Sequence, residues 1–122
     1  MSRRVIIAIT GATGAIYGVR VLQALAEVPD IETHLVVSEA ARRTIEIEIE
    51  HNVGEILALA DHRYSVRDVG AAISSGSFKT HGMIVAPCSM KTLSGIAYSL
   101  NENLITRAAD VVLKDRRRLV LL

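Results

Sequence analysis

Two segments carry residue types that could hold an anion: Gly11-Ala12-Thr13-Gly14 and Pro87-Cys88-Ser89-Met90-Lys91-Thr92. Glycines let a backbone turn tightly and approach a ligand closely, and the free N–H groups of a following helix favour negative charge. The second segment adds two hydroxyls and a lysine to a helix start, a cradle for phosphate or for the polar edge of a flavin. The plainer readings are a simple strand-to-helix turn at Gly11 and a serine cap with a solvent lysine at Ser89. The density of polar groups beside each turn favours binding. The dinucleotide fingerprint G-x-G-x-x-G is missing, because the glycines fall at 11, 14 and 18. The second apolar run ends in Ser38, with Glu39 one residue late for a ribose-binding acid. Both details favour a mononucleotide over NAD(P).

The remaining reactive residue types suggest less. Cys88 is the one cysteine, so no internal disulfide can form and secretion gains no support. No histidine lies near it in sequence, which favours a small residue buried at a strand end over a nucleophile. His34, His51, His62 and His81 show no ligand spacing, so no metal site is expected. Lys114-Asp115-Arg116-Arg117-Arg118 reads as the solvated end of a helix, where cations suit the dipole. Glu46, Glu48 and Glu50 read as a charged stripe facing solvent. A formal net charge of +1 gives no reason to expect a nucleic-acid partner. No apolar stretch approaches the length of a membrane span, so a cytoplasmic protein with no membrane partner is expected.

The elements that must position these groups follow from the apolar pattern. With 122 residues, half of them hydrophobic and few aromatic, the chain fits one domain with an aliphatic core. Residues 4–10 form a β-branched run bounded by glycine, the mark of a buried parallel strand. Helical spacing of Ile16, Val19, Leu22 and Leu25 continues to Val28, before Pro29. Residues 32–37 read as a second strand. Ser38 then caps a helix to about residue 48, although Thr44–Glu50 alternates with period two and taken alone argues for a strand. A short helix is expected over 53–60, a hydroxyl-rich loop over 73–77, and a third core strand over 83–86. Helices over about 88–98 and 104–114 precede a strand beginning at Leu119, inside which the chain ends. The order of elements predicts a Rossmann-like α/β three-layer sandwich around a parallel sheet, with ligands beyond the carboxyl ends of the strands.

In this context the chain resembles the UbiX-type flavin prenyltransferase family of the flavin-containing Cys decarboxylase superfamily. The resemblance rests on Ile9–Gly18, Glu32–Ser38, Ile73–Phe78, Pro87–Leu93 and Arg107–Lys114, five motifs in one register. It implies prenylation of reduced FMN by dimethylallyl phosphate, the prenylated FMN then serving a UbiD-type decarboxylase. By motif position the FMN contacts would be Gly11, Ala12, Thr13, Ser38, Ser89, Met90, Lys91 and Thr92. The acidic catalytic residue would be Glu48, with Glu46 and Glu50 as alternatives because residues 46–54 depart from the family pattern. A homo-oligomer is implied. So is further sequence past Leu122 that holds the allyl phosphate, so the domain over 1–122 is expected to be incomplete at its C-terminal end and inactive alone. The competing readings are a flavin-dependent decarboxylase of the same superfamily and a non-catalytic flavin-binding fragment.

Overall fold

In the computed structural model, which describes residues 2–49 and 52–122, the apolar runs form five strands. They are β1 (Arg3–Ile9), β2 (Ile31–Val37), β3 (His62–Ser65), β4 (Gly82–Val85) and β5 (Arg118–Leu121). All pair in parallel, in the order β3-β2-β1-β4-β5. Helices cover both faces, which is why Val5–Ile9 of β1 and Leu35–Val37 of β2 read as continuous apolar runs. Val5, Ile7 and Ile9 of β1 pack with α1 (Ala15–Ala26), α2 (Glu39–Glu48) and α3 (Val53–Leu57). Ile6 and Ala8 face the other layer, with Ile96 of α4 (Met90–Ala97) and Leu104, Ile105, Ala108 and Val112 of α5 (Leu104–Lys114). Each such aliphatic side chain, fully buried, contributes about 1.5–3 kcal/mol from water exclusion.

The expected α/β sandwich is therefore present, the expected helix after Ser38 included; three local signals were ambiguous, silent or misleading. The ambiguous stretch after Ser38 is helical through Glu48, and the backbone turns extended at Ile49. Ser38 Oγ accepts from the Ala41 N–H at 3.0 Å, and Ala40–Arg43 are good helix formers. The period-two alternation was a false strand signal: Ile45 is buried, whereas Ile47 is 84% exposed. Second, the strand over 83–86 is not the third but the fourth. β3 precedes it, and its sequence His-Arg-Tyr-Ser is a polar edge strand without an apolar run to reveal it. Third, Arg117 is not solvated. Its guanidinium donates to the carbonyls of Phe78 and Gly76 and to Thr80 Oγ1, and pairs with Asp115, tying the 75–80 loop to the start of β5. Residues 53–60 give a helix only over Val53–Leu57.

Strand register aligns the carboxyl ends. Ile9 lies opposite Val37, Ala8 opposite Val85, and Val37 opposite Ser65. The loops that follow β1, β2, β3 and β4 thus share one edge. The strand order reverses between β1 and β4, where a doubly wound sheet opens a crevice.

Candidate functional site

Thr10, the residue after β1, ties the two central loops together. Its buried Oγ1 donates to the Pro87 carbonyl at 2.6 Å and accepts from the Ser89 N–H at 2.7 Å. Ser89 is thereby fixed as the N-cap of α4, accepting from the Thr92 N–H at 3.1 Å and donating to Thr92 Oγ1 at 2.9 Å. Ser38 caps α2 in the same way. Asn103 caps α5 through a reciprocal pair: its Oδ1 accepts from the Thr106 N–H at 3.1 Å, and Thr106 Oγ1 accepts from the Asn103 N–H at 3.3 Å.

These three helix starts open on one cavity of about 540 Å³. Its wall includes Gly11, Ser38, Glu39, Ala40 and Arg43 on one side, and Ser89, Lys91, Thr92, Asn103 and Thr106 on the other. Val66, Arg67, Val69 and Glu102 complete it. Each helix start leaves N–H groups without intrahelical acceptors and a positive dipole end, so the three reinforce one another toward an anion. Lys91, Arg43 and Arg67 add cationic side chains. Arg67 is paired with Glu39 at 2.6 Å, an ion pair joining the segment after β3 to the first turn of α2.

The fourth helix start at this edge, that of α1, is used differently. Gly14 adopts φ 99°, a left-handed conformation that glycine tolerates, and turns the chain into the helix. The N–H groups of Gly14 and Ala15 point at Glu48 Oε1, at 3.2 and 3.3 Å. The anion expected at this turn is therefore a carboxylate of the protein itself. Gly11 owes its identity to packing as much as to any ligand, because a Cβ there would stand 2.4 Å from the Cβ of Ala40.

Of the positions singled out in the sequence, Gly11, Ser38, Ser89, Lys91 and Thr92 line the cavity. Ala12 and Thr13 lie on the loop just beyond its wall, and the Met90 side chain is exposed to solvent. Glu48 is exposed and accepts from the N–H groups of Gly14 and Ala15 without lining the cavity, Glu46 is exposed, and Glu50 and His51 lie outside the described residues. Cys88 is half-buried, and burial pushes its thiol pKa up, which keeps it protonated and suits the packing role over a nucleophile. Sequence reasoning missed Thr10, Arg67, Asn103 and Thr106. Asn103 carried a signal, an amide residue immediately before an apolar periodic run. Arg67 carried none, since only the path of the chain after β3 brings it to the cavity.

A parallel sheet reversing at β1/β4, with helix starts gathered at its carboxyl edge, defines an α/β protein built to hold an anionic mononucleotide-sized ligand. The family model described as Flavoprotein matches residues 1–122, and the chain belongs to that family. It is 60% identical over 119 residues to the flavin prenyltransferase UbiX of Escherichia coli (strain K12), covering 98% of this chain and 63% of that protein. It is 49% identical to the flavin prenyltransferase LpdB of Lactiplantibacillus plantarum, over 98% of this chain and 64% of that one. Among solved structures, AnUbiX (PadA1) in complex with FMN and dimethylallyl pyrophosphate superposes with a TM-score of 0.97 at 50% identity, covering 99% of this chain and 64% of that chain. A dodecameric FMN-dependent UbiX-like decarboxylase from Escherichia coli O157:H7 gives 0.96 at 55% identity, covering 98% of this chain and 64% of that chain. The chain thus spans a little under two thirds of the length of these relatives.

Proposed function

We propose that the cavity binds FMN and that the protein transfers a dimethylallyl group from dimethylallyl phosphate to reduced FMN. The observation that carries this reading is the convergence of the α2, α4 and α5 N-termini, with Lys91, on one cavity. The fit is good: about 540 Å³ lies within the usual range for small-molecule sites. The helix starts suit a phosphate, Gly11 and Ala40 allow close approach, and Val66 and Val69 offer an apolar wall. The 60% identity to a flavin prenyltransferase supports the chemistry.

When bound, reduced flavin would supply the nucleophilic nitrogen N5 that takes the allyl carbon as phosphate leaves with the C–O bonding pair, and a ring carbon that forms the second, ring-closing bond with loss of its proton. The chain's own residues hold the nucleotide, exclude water and orient it. Lys91, Thr92 and the first-turn N–H groups of the helices that Ser38 and Ser89 cap would take the polar groups, with Gly11, Ala12, Thr13 and Met90 framing the ligand from their loops. Glu48, anchored by two backbone N–H groups beside the Gly11–Gly14 loop, would move the proton released as the new ring closes. A UbiD-type decarboxylase is the proposed recipient of the product, a homo-oligomer the proposed working form and the cytoplasm the proposed location. No described helix is long and apolar enough to cross a membrane.

Titration of the protein with FMN, FAD and NADPH tests the ligand: FMN should bind tightest, and tight NADPH binding without FMN binding would sink the reading. With the full-length protein, reduced FMN and dimethylallyl phosphate should then give prenylated flavin. Release of carbon dioxide from a cysteinyl peptide, with no prenylated flavin, would replace this activity by a decarboxylase.

A further inference from the structure

Away from the cavity, on the sheet face that packs against α5, parallel pairing brings three ligand-type side chains together. His34 of β2 lies directly opposite His62 of β3, and Glu32 precedes His34 by two residues on the same face. Glu32 Oε1 is 2.7 Å from His34 Nε2 and 3.5 Å from His62 Nε2, and one ligand atom from each of the three lies within 4.8 Å of the others. We propose that Glu32, His34 and His62 form a binding site for a divalent transition metal of the zinc class. The site would staple the short edge strand β3 to β2.

Three observations support the assignment. Imidazole and carboxylate donors suit zinc, and bonds of about 2.0–2.1 Å place tetrahedral ligand atoms roughly 3.3 Å apart. The separations of 2.7 and 3.5 Å bracket that spacing. His34 is 2% exposed, and its other nitrogen, Nδ1, lies 2.9 Å from the Tyr64 hydroxyl, the outer contact that fixes a ligand ring and its tautomer. Finally, His62 and Glu32 reach solvent, with side chains 53% and 29% exposed, which gives the ion a path in and a water a fourth position.

Two features oppose binding and set its strength. The His34 and His62 rings are stacked at 4.6 Å with planes 13° apart, so the exposed His62 ring must turn for both lone pairs to converge. Arg4 Nε lies 3.6 Å from Glu32 Oε1 and competes for it, although its guanidinium also rests over the Phe78 ring at 4.0 Å. A moderate affinity follows, tighter as pH rises because bound protons must leave.

The test is calorimetric titration of the chelator-stripped protein with zinc chloride, repeated with cobalt(II) to read coordination from its visible spectrum. One zinc per chain, a four-coordinate cobalt spectrum and a raised Tm are expected. His62→Ala and Glu32→Gln, both at partly exposed positions, should keep the metal-free Tm near the parent's. Each should weaken zinc by roughly tenfold or more. Absence of saturable binding below about 1 mM, or an affinity unchanged in either variant, overturns the proposal.

Discussion

Thr10 shows how one small side chain can hold a site together. Its single oxygen both donates to Pro87 and accepts from Ser89, out of contact with solvent. Thr10→Val keeps the shape and removes both bonds; the Pro87 carbonyl still accepts the Thr10 N–H at 3.2 Å, so the stranded group is the part-buried Ser89 N–H, at about 1–3 kcal/mol. Denaturant unfolding should register that loss, with Thr10→Ser recovering most of it. Glu48 poses a different question, because its carboxylate holds the α1 N-terminus whatever else it does. Glu48→Gln retains an acceptor for Gly14 and Ala15, so folding and FMN binding should survive. Prenyl transfer should fall by roughly 10²-fold or more if the group moves a proton. Mass spectrometry of the flavin product reads the difference, and full turnover would leave Glu48 a helix cap alone.

At the scale of elements, the cavity is made by helix starts more than by side chains. Ser38, Ser89 and Asn103 spend their polar atoms capping their own helices, leaving the first-turn N–H groups and Lys91 to face a ligand. A site of this kind should read phosphate. FMN should therefore bind more tightly than riboflavin, and Lys91→Gln should weaken FMN by roughly tenfold while leaving riboflavin unchanged. Quenching of flavin fluorescence measures both, and an equal loss for the two ligands would place the phosphate away from α4. The contact between the Gly11 loop and α2 is equally tight. Gly11→Ala puts a methyl group 2.4 Å from the Ala40 Cβ, so α2 must shift. The expected cost is about 1–3 kcal/mol of stability, with weaker FMN binding because Ser38 moves with the helix.

Across the whole molecule, the two faces of the sheet differ in polarity. The face under α1, α2 and α3 is aliphatic apart from Thr33, which is hydrogen-bonded to Asp61, whereas the other carries the ionisable His34 among Ile6, Val36 and Met83. Burial is the largest influence on His34 and lowers its pKa from the ordinary 6.5, against the raising effect of its hydrogen bond to Glu32. The unfolded chain then binds more protons than the folded one in the window just below 6.5, so stability rises with pH there. Above 6.5 the ring is neutral in both states and the dependence from this group vanishes. The Tm, measured with chelator present, should fall as pH drops from 6.5 toward the depressed value, and His34→Gln should flatten that slope. An equal slope in the variant would assign the dependence to other groups.

The order of strands and helices, both layers of the core and the loops after β1, β2 and β4 were legible in the sequence. Local signals wrote them: apolar runs of strand length, helical spacing, serine caps and a glycine turn. Five of the nine candidate site positions proved to line the cavity for the same reason, since they lie in the turns and helix starts that follow strands. β3 was not legible, because a four-residue polar edge strand gains its identity from pairing with β2 and from nothing within itself. Arg67, the multiply bonded Arg117 and the meeting of Glu32, His34 and His62 are likewise products of register and chain path. Periodicity along one segment records which way that segment faces, whereas a contact between segments 28 residues apart, as between His34 and His62, exists only once the sheet has chosen its strand order.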